Sequence, residues 1–322
     1  MNLLDSSIIE REIIPYLSPA IKSILHNAQA NFYDGLEEIR LRVQKPLVLK
    51  IGDIDFTVNA NGRITSNLEQ GYIITEEDIL RTIATISDNS LYAFEEEIKQ
   101  GFITIPGGHR VGLAGQVIVD GYDIKTIKDF SGICLRVARE RKGCASSLLK
   151  KVWNKKGQVN STLIISPPRC GKTTILRDLA RLLSTGSSEY SPQNVVIVDE
   201  RSELAGSYRG VSQLDVGIRT DVLDSCPKAL GMIMAIRSLS PQIIITDEIG
   251  HEKDVEAIYE CANAGVAVIT TIHARNIEEL KARPLINNLI EMGLFNIGIV
   301  LSRRKGPGTV EEIVKWGANI VV

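Results

Sequence analysis

Apolar positions change rhythm part-way along this chain. Near the start they recur at helical spacing, which predicts one helix from Ser6 to Leu17 and another from Pro19 to Ala28. In EEIRLRV they alternate, with Ile39, Leu41 and Val43 on one side and Arg40 and Arg42 on the other, the period of a half-buried strand. PLVLKIG and DIDFTV continue as strands, and Thr75 followed by Asp78 is a capping signal for a helix carrying Ile79, Leu80 and Ile83. FITIP, RVGLAGQVIV and ICLRV read as further strands around a turn at Gly107 and Gly108. Strands grouped with helices in this way predict an α+β domain.

Farther on, short apolar strands alternate with helices. TLIIS, a helix from Thr173 to Leu183, VVIVD, a helix from Lys228 to Ser238, QIIITDE, a helix from Lys253 to Ala262 and VAVITTIH follow in that order. Strands this continuously apolar are buried on both faces, which predicts a parallel sheet with crossover helices. NIGIVLS and TVEEIVKW, joined by RRKGPG, read as a closing hairpin. The boundary falls near Gly143. The expected organisation is a smaller α+β domain over residues 1–143, helical over 1–30, and an α/β domain with a mainly parallel sheet over 144–322. Between Arg136 and Lys156 the basic residues Arg136, Arg139, Arg141, Lys142, Lys150, Lys151, Lys155 and Lys156 stand against one acid, Glu140, so this segment reads as a solvated hinge or, alternatively, as a basic surface facing a partner, a nucleotide or a phosphate-bearing membrane.

Composition narrows the function classes. A length of 322 residues suits two domains, and 44% hydrophobic with 24% charged residues excludes a mainly disordered chain. With 37 basic and 39 acidic residues there is no whole-chain basic excess to attract a polyanion. That near-neutral total conceals an acidic first part and a basic remainder. Cys134, Cys144, Cys170, Cys226 and Cys261 are odd in number and form no C-x-x-C pair, which argues for a reducing compartment and against a disulfide framework or zinc ribbon. No apolar stretch approaches the roughly 20 residues a bilayer needs. The opening MNLLDSSIIERE is acidic where a signal peptide is basic. The chain therefore reads as cytosolic, working at a membrane only from its surface.

The most informative stretch runs Ser166, Pro167, Pro168, Arg169, Cys170, Gly171, Lys172, Thr173, Thr174, directly between the strand TLIIS and an amphipathic helix. A loop in that position presents backbone N–H groups at a helix N-terminus, where the peptide dipoles favour phosphate. Lys172 would reach the β- and γ-phosphates, and the Thr173 hydroxyl would bind Mg²⁺. The pattern is incomplete: Ser166 stands where G-x-x-x-x-G-K-[ST] has its first glycine, and Arg169 where many such loops have another. If that position needs positive φ, arginine there costs roughly 1 kcal/mol. Hydrolysis further needs carboxylates for the metal and for the attacking water. Asp199 and Glu200 after VVIV, and Asp247 and Glu248 after IIIT, fall at strand carboxyl ends, the ligand side of such sheets. His273 ends the next strand at the same rim, where a neutral imidazole could sense the γ-phosphate. A thiol at a helix N-terminus beside Lys172 raises the question of a reactive Cys170, against a plainer role as a small residue lending its backbone N–H.

The succession of phosphate loop, VVIVDERSE, SLSPQIIITDEIG and VITTIHA resembles the secretion ATPase superfamily, the RecA-like P-loop motors of type II and type IV secretion and of pilus assembly. EEIRLRVQKPLVLKIGD and FITIPGGHRVGLAGQV are similar to strands of that superfamily's N-terminal domain, so the resemblance covers about Leu36 to Ala274. It implies ATP hydrolysis with ATP and Mg²⁺, and a homo-oligomeric ring, six subunits being the superfamily's habit. It implies that VVIVDERSE is the aspartate box, Pro241 to Gly250 the metal-binding and catalytic segment, and Thr271 to His273 the histidine box. We assign Asp247, with Thr173 and Asp199, to the metal, and Glu248 to the attacking water, with Glu200 as its rival or assistant. Arg237, in AIRSLSPQ, is the expected internal sensor; Arg136, Arg139, Arg209 and Arg219 are the other arginines available to complete a neighbouring subunit's site. GKTTILRDLARLLS, VDERSELAG and TDEIG together resemble the superfamily's sporulation branch. That implies as partners the membrane-embedded channel proteins of a secretion-like complex joining mother cell and forespore, with the chain at the mother-cell membrane surface.

Two other readings stay open. One is a RecA-like ATPase that depends on nucleic acid; only 5% of residues are aromatic and Trp153 alone stands in the basic segment, so no nucleic acid is expected. The other is a nucleotide-gated scaffold without turnover, for which Ser166 and Arg169 are the supporting residues.

Overall fold

Pro15 decides how the first element forms. The expected helix from Ser6 to Leu17 is instead a π turn at Ile9–Ile13 followed by a 3-10 turn at Ile14–Tyr16. Proline has no N–H to continue an α-helical ladder. Ser6 and Ser7 lie outside the described residues, which are 8–28 and 30–316 of this computed structural model. By its contacts the chain divides into two compact units, Met1–Arg139 and Glu140–Val322.

In the first unit, α1 (Pro19–His26) is capped by Ser18, whose hydroxyl donates to Asp78 Oδ1 at 2.5 Å. Asp78 also closes a capping box with Thr75, so α2 (Glu76–Ile86) begins where the sequence signal places it. A short α3 (Glu95–Lys99) was not foreshadowed by the apolar spacing. The sheet comprises β1 (Leu36–Arg42), β2 (Val48–Ile51), β3 (Ile54–Val58), β4 (Ile64–Thr65), β5 (Phe102–Ile105), β6 (His109–Asp120) and β7 (Asp123–Arg136). Its order is β4-β3-β2-β1-β7-β6-β5, antiparallel at every pairing. The alternation in EEIRLRV takes effect as expected: Ile39 and Leu41 are buried and Arg42 is exposed.

The second unit starts inside the basic segment, whose later part is helical. There α4 (Ser146–Val152) buries Leu148 and Val152, with Ala145 just before it, and turns Lys150 and Lys151 to solvent. Then follow β8 (Thr162–Ser166), α5 (Lys172–Thr185), β9 (Val195–Asp199), β10 (Thr220–Asp224), α6 (Lys228–Ser238) and β11 (Ile243–Thr246). The unit closes with α7 (Glu252–Asn263), β12 (Ala267–His273), α8 (Ile277–Lys281), α9 (Pro284–Glu291), β13 (Ile297–Ser302) and β14 (Thr309–Lys315). The strand order is β10-β9-β11-β12-β8-β13-β14, parallel except for the β13–β14 hairpin. Both faces are covered. Leu163, Ile165, Val196, Val198 and Ile244 point to one core with α6, α7, α8 and α9, while Ile164, Val195, Ile197, Ile243 and Ile245 point to the other with α4 and α5. Each such side chain contributes about 1.5–3 kcal/mol on full burial, which explains strands without a polar face.

This topology arrays strand carboxyl ends along one rim. Thr246 stands opposite Val198 in the β9–β11 register, and His273 opposite Ser166 in the β8–β12 register. The residues that follow β9 and β11 are therefore adjacent, and those that follow β11 and β8 flank His273 on either side. No helix among the described residues is long and apolar enough to cross a membrane.

Candidate active site

The phosphate loop leaves β8 at the buried Ser166 and enters α5 at Lys172. Two of its residues are left-handed, Arg169 with φ 61° and Gly171 with φ 83°. Position 169 does ask for positive φ, and an arginine there carries about 1–2 kcal/mol of strain. The loop is walled by the turn of the closing hairpin: Gly308 N–H donates to Cys170 O at 2.9 Å, and a Cβ on Gly171 would stand 3.4 Å from Gly308 N. RRKGPG, read from sequence as a connection only, is thus part of the loop's surroundings. Cys170 is buried and its thiol lies 3.6 Å from Pro168 O, which supports the plainer of its two readings. Lys172 Nζ folds back to Ser166 O at 3.3 Å, Pro167 O at 3.3 Å and Ser166 Oγ at 3.4 Å. Burial lowers its pKa, with Glu248 opposing the shift. Thr173 and Thr174 stand half-buried in the first turn of α5.

His273 connects this loop to a carboxylate. Its Nδ1 is 2.7 Å from Lys172 Nζ, and its Nε2 is 3.1 Å from Glu248 Oε2. An ammonium has donors only, so Nδ1 accepts from Lys172, while Nε2 faces the Glu248 carboxylate in an ion-pair contact. The chain Lys172, His273, Glu248 joins the loop to the end of β11.

At the end of β9 the chemistry differs. Asp199, fully buried, accepts the N–H groups of Glu203, Leu204 and Ala205 at 2.8–2.9 Å. Burial nonetheless pushes its pKa up to about 6, against the effect of those three bonds. Arg177 grips the same turn from the other side, donating to Leu204 O at 2.6 Å and Glu203 O at 2.8 Å. Asp199, expected in the metal shell, is engaged by backbone at both oxygens, Oδ1 by Glu203 and Oδ2 by Leu204 and Ala205, and so holds this turn together. Glu200 pairs with Lys228 and not with the adjacent Arg201. Lys228 also lies 3.6 Å from Asp247 Oδ1. Sequence reading missed Lys228, although one signal was present: a cation at the first position of a helix opposes the macrodipole by about 0.3–1 kcal/mol and wants a reason.

Asp247 is the fit for a divalent cation. Its Oδ1 is buried with no hydrogen-bond partner, and burial raises its pKa while Lys228 opposes the rise. Among the described residues no group of three or more His, Cys, Asp or Glu could hold an ion unaided. Mg²⁺ commonly binds through one or two carboxylates together with substrate phosphates, so a single carboxylate oxygen without a hydrogen-bond partner, on the same rim of the sheet as the phosphate loop, is adequate for it.

The arginines are scattered. Arg237 lies near the far end of α6, about 13 Å along the helix axis from Lys228 at 1.5 Å per residue, exposed and beside Asn263 and Ala264 at the opposite rim. It is not brought to the site of its own chain, so the expected internal sensor is corrected: α6 runs back antiparallel to the strands and carries it away. Arg139 donates to Tyr33 O and Leu36 O, Arg136 lies 3.5 Å from Glu38, Arg219 reaches Ser184 O and Arg209 lies over the ring of Tyr208.

The sequence profile of the family described as sporulation stage III, protein AA, matches residues 9–320. The chain belongs to this family. A member, the stage III sporulation protein AA of Bacillus subtilis (strain 168), is 41% identical over 310 residues, 96% of this chain and 96% of that one. Among solved structures, the Legionella pneumophila ATPase DotB matches with a TM-score of 0.56 at 15% identity, covering 87% of this chain and 75% of its own. The pilus retraction motor PilT, solved with bound ADP, matches with a TM-score of 0.55 at 15% identity, covering 96% and 84%. With the parallel sheet and its phosphate loop, these likenesses give this family member the RecA-like P-loop ATPase fold of secretion ATPases.

Proposed function

We propose that the chain is an ATP-hydrolysing motor of secretion-ATPase type. The observation that carries this reading is the line of contacts from Lys172 through His273 to Glu248, a hydrogen bond and then an ion-pair contact, because it ties the residue that would meet the β- and γ-phosphates to a carboxylate able to act on water. In this reading, backbone N–H groups of residues 167–174 cradle the phosphates and Lys172 leaves the loop carbonyls for them. Thr173 and Asp247 would hold Mg²⁺, which when bound would neutralise developing phosphoryl charge. Glu248 orients the attacking water and takes its proton, while His273 releases Lys172 and stays beside Glu248. The reading is supported by relatives in fold that are described as an ATPase and as a motor with bound ADP.

The wider reading follows from the family. The subunits form a ring, six by analogy, in the cytoplasm at the membrane surface of the mother cell, and pass nucleotide-driven movement of the N-terminal unit to membrane-embedded channel proteins during sporulation. A neighbouring subunit's arginine completes each site. The test is phosphate release by the full chain with ATP and Mg²⁺: steady release, lost in Lys172→Ala, is expected. Binding of ATP without release would leave a nucleotide-gated scaffold instead.

A further inference from the structure

The proposed reaction leaves one charged group at the centre of the site without a task. The Lys228 side chain is 11% exposed; its Nζ forms a hydrogen-bonded ion pair with Glu200 and stands 3.6 Å from Asp247 Oδ1. These carboxylates follow adjacent strands, β9 and β11, so one ammonium joins two strand ends. Its location is electrostatically unfavourable in itself, a desolvated cation at the positive end of a helix dipole. Two other features hold it there. Ser225 N–H donates to Asp199 O at 2.9 Å, fixing the turn before α6 to the end of β9. One helical turn beyond Lys228, a Cβ on Gly231 would stand 2.4 Å from Val198 Cγ1, so α6 approaches β9 more closely than a larger residue permits.

We propose that Lys228 is a positioning residue that divides labour among the carboxylates. By occupying Glu200 it keeps that group from the metal and from water, leaves Asp247 Oδ1, which has no hydrogen-bond partner, as the carboxylate donor, and makes Glu248 the base. The inference rests on the hydrolysis reading above and adds a reason why one of two similar Asp-Glu pairs does the chemistry. Removing Lys228 would leave Glu200 as an uncompensated charge beside Asp247, free to compete for the same cation.

The full chain tests this through Lys228→Met, Lys228→Arg and the double variant Lys228→Met with Glu200→Gln. Two quantities are measured: the Mg²⁺ midpoint for binding a fluorescent ATP analogue, and kcat and KM for ATP. Lys228→Met is expected to lower kcat roughly 10–100-fold, the usual range for groups that orient metal ligands, with KM nearly unchanged. Its Mg²⁺ midpoint is expected to fall several-fold, because a competing cation has gone and a carboxylate is freed. The double variant should return both quantities towards wild type, and Lys228→Arg should retain most activity. A Lys228→Met midpoint and kcat equal to wild type overturn the proposal, as does a double variant no better than Lys228→Met. If the wild type releases no phosphate, the hydrolysis reading fails and the Mg²⁺ midpoint alone decides: a fall supports the role of Lys228, no shift overturns it. If Lys228→Met does not fold, Glu200→Gln takes its place. Lys228 is then left to Asp247 alone and the midpoint should rise; a midpoint at or below that of wild type overturns the proposal.

Discussion

Asp199 with Glu200, and Asp247 with Glu248, are the same dipeptide after the same kind of buried strand, yet the fold spends them differently. In the first pair the aspartate is committed to three backbone N–H groups and the glutamate to Lys228. In the second the aspartate keeps an oxygen without a hydrogen-bond partner, and the glutamate reaches His273 and through it Lys172. One pair builds the rim and the other is left able to react. What separates them is the neighbours each strand end meets: a turn that doubles back under Asp199, against β12 and the phosphate loop beside Glu248.

If that contrast holds, damage to the first pair's surroundings appears in stability and damage to the second's appears in turnover. The largest expected loss of stability is in Arg177→Leu. The guanidinium is buried and serves two carbonyls of the turn after Asp199, and leaving them unsatisfied costs about 3 kcal/mol, to be read from urea unfolding. A loss below about 1 kcal/mol would mean that the turn does not depend on it. His273→Ala should leave the unfolding midpoint nearly unaltered while kcat falls roughly 10–100-fold, about 1.4–2.7 kcal/mol in the barrier. A variant with wild-type turnover would break the line from Lys172 to Glu248.

The smallest effect is a dependence on pH. Asp199 titrates near pH 6 in the folded chain and near its ordinary 3.8 unfolded. Its contribution to stability is therefore complete below about pH 4 and lost as pH rises through about 6. Asp199→Asn removes that dependence and costs about 1–2 kcal/mol at pH 7 through a weaker cap. The wild-type advantage should widen between pH 7 and pH 5 in paired unfolding curves; a narrowing gap would contradict the burial of the charge.

How much of this the sequence displayed depends on the kind of signal. Strands β8, β9, β11 and β12 and helices α5, α6 and α7 were legible because a sheet covered on both faces needs unbroken apolar strands, and few other arrangements produce them. The phosphate loop was legible because its chemistry is local, one strand followed by Gly171, Lys172 and Thr173. The helix α4 was hidden by charge. Ala145, Leu148, Leu149 and Val152 have helical spacing, but Lys150, Lys151, Lys155 and Lys156 dominate the segment's composition. The edge strand β10 was hidden by its own acids, Asp221 and Asp224, since an edge needs less apolar surface. Arg237 and Lys228 show a different limit. Both lie on α6, and the apolar spacing that defines a helix does not say which of its ends meets the site. Only the path of the chain through β10 puts Lys228 at the reactive rim and Arg237 at the other.

The most direct test of the division between the pairs is retention of labelled ATP, alongside phosphate release, by Glu248→Gln and Glu200→Gln at saturating Mg²⁺. The account predicts that Glu248→Gln loses turnover by roughly 10²–10⁴-fold, the range for a general base, and holds unhydrolysed ATP through gel filtration, while Glu200→Gln loses less than about tenfold and holds ADP. Stalled ATP in Glu200→Gln with normal turnover in Glu248→Gln would contradict it.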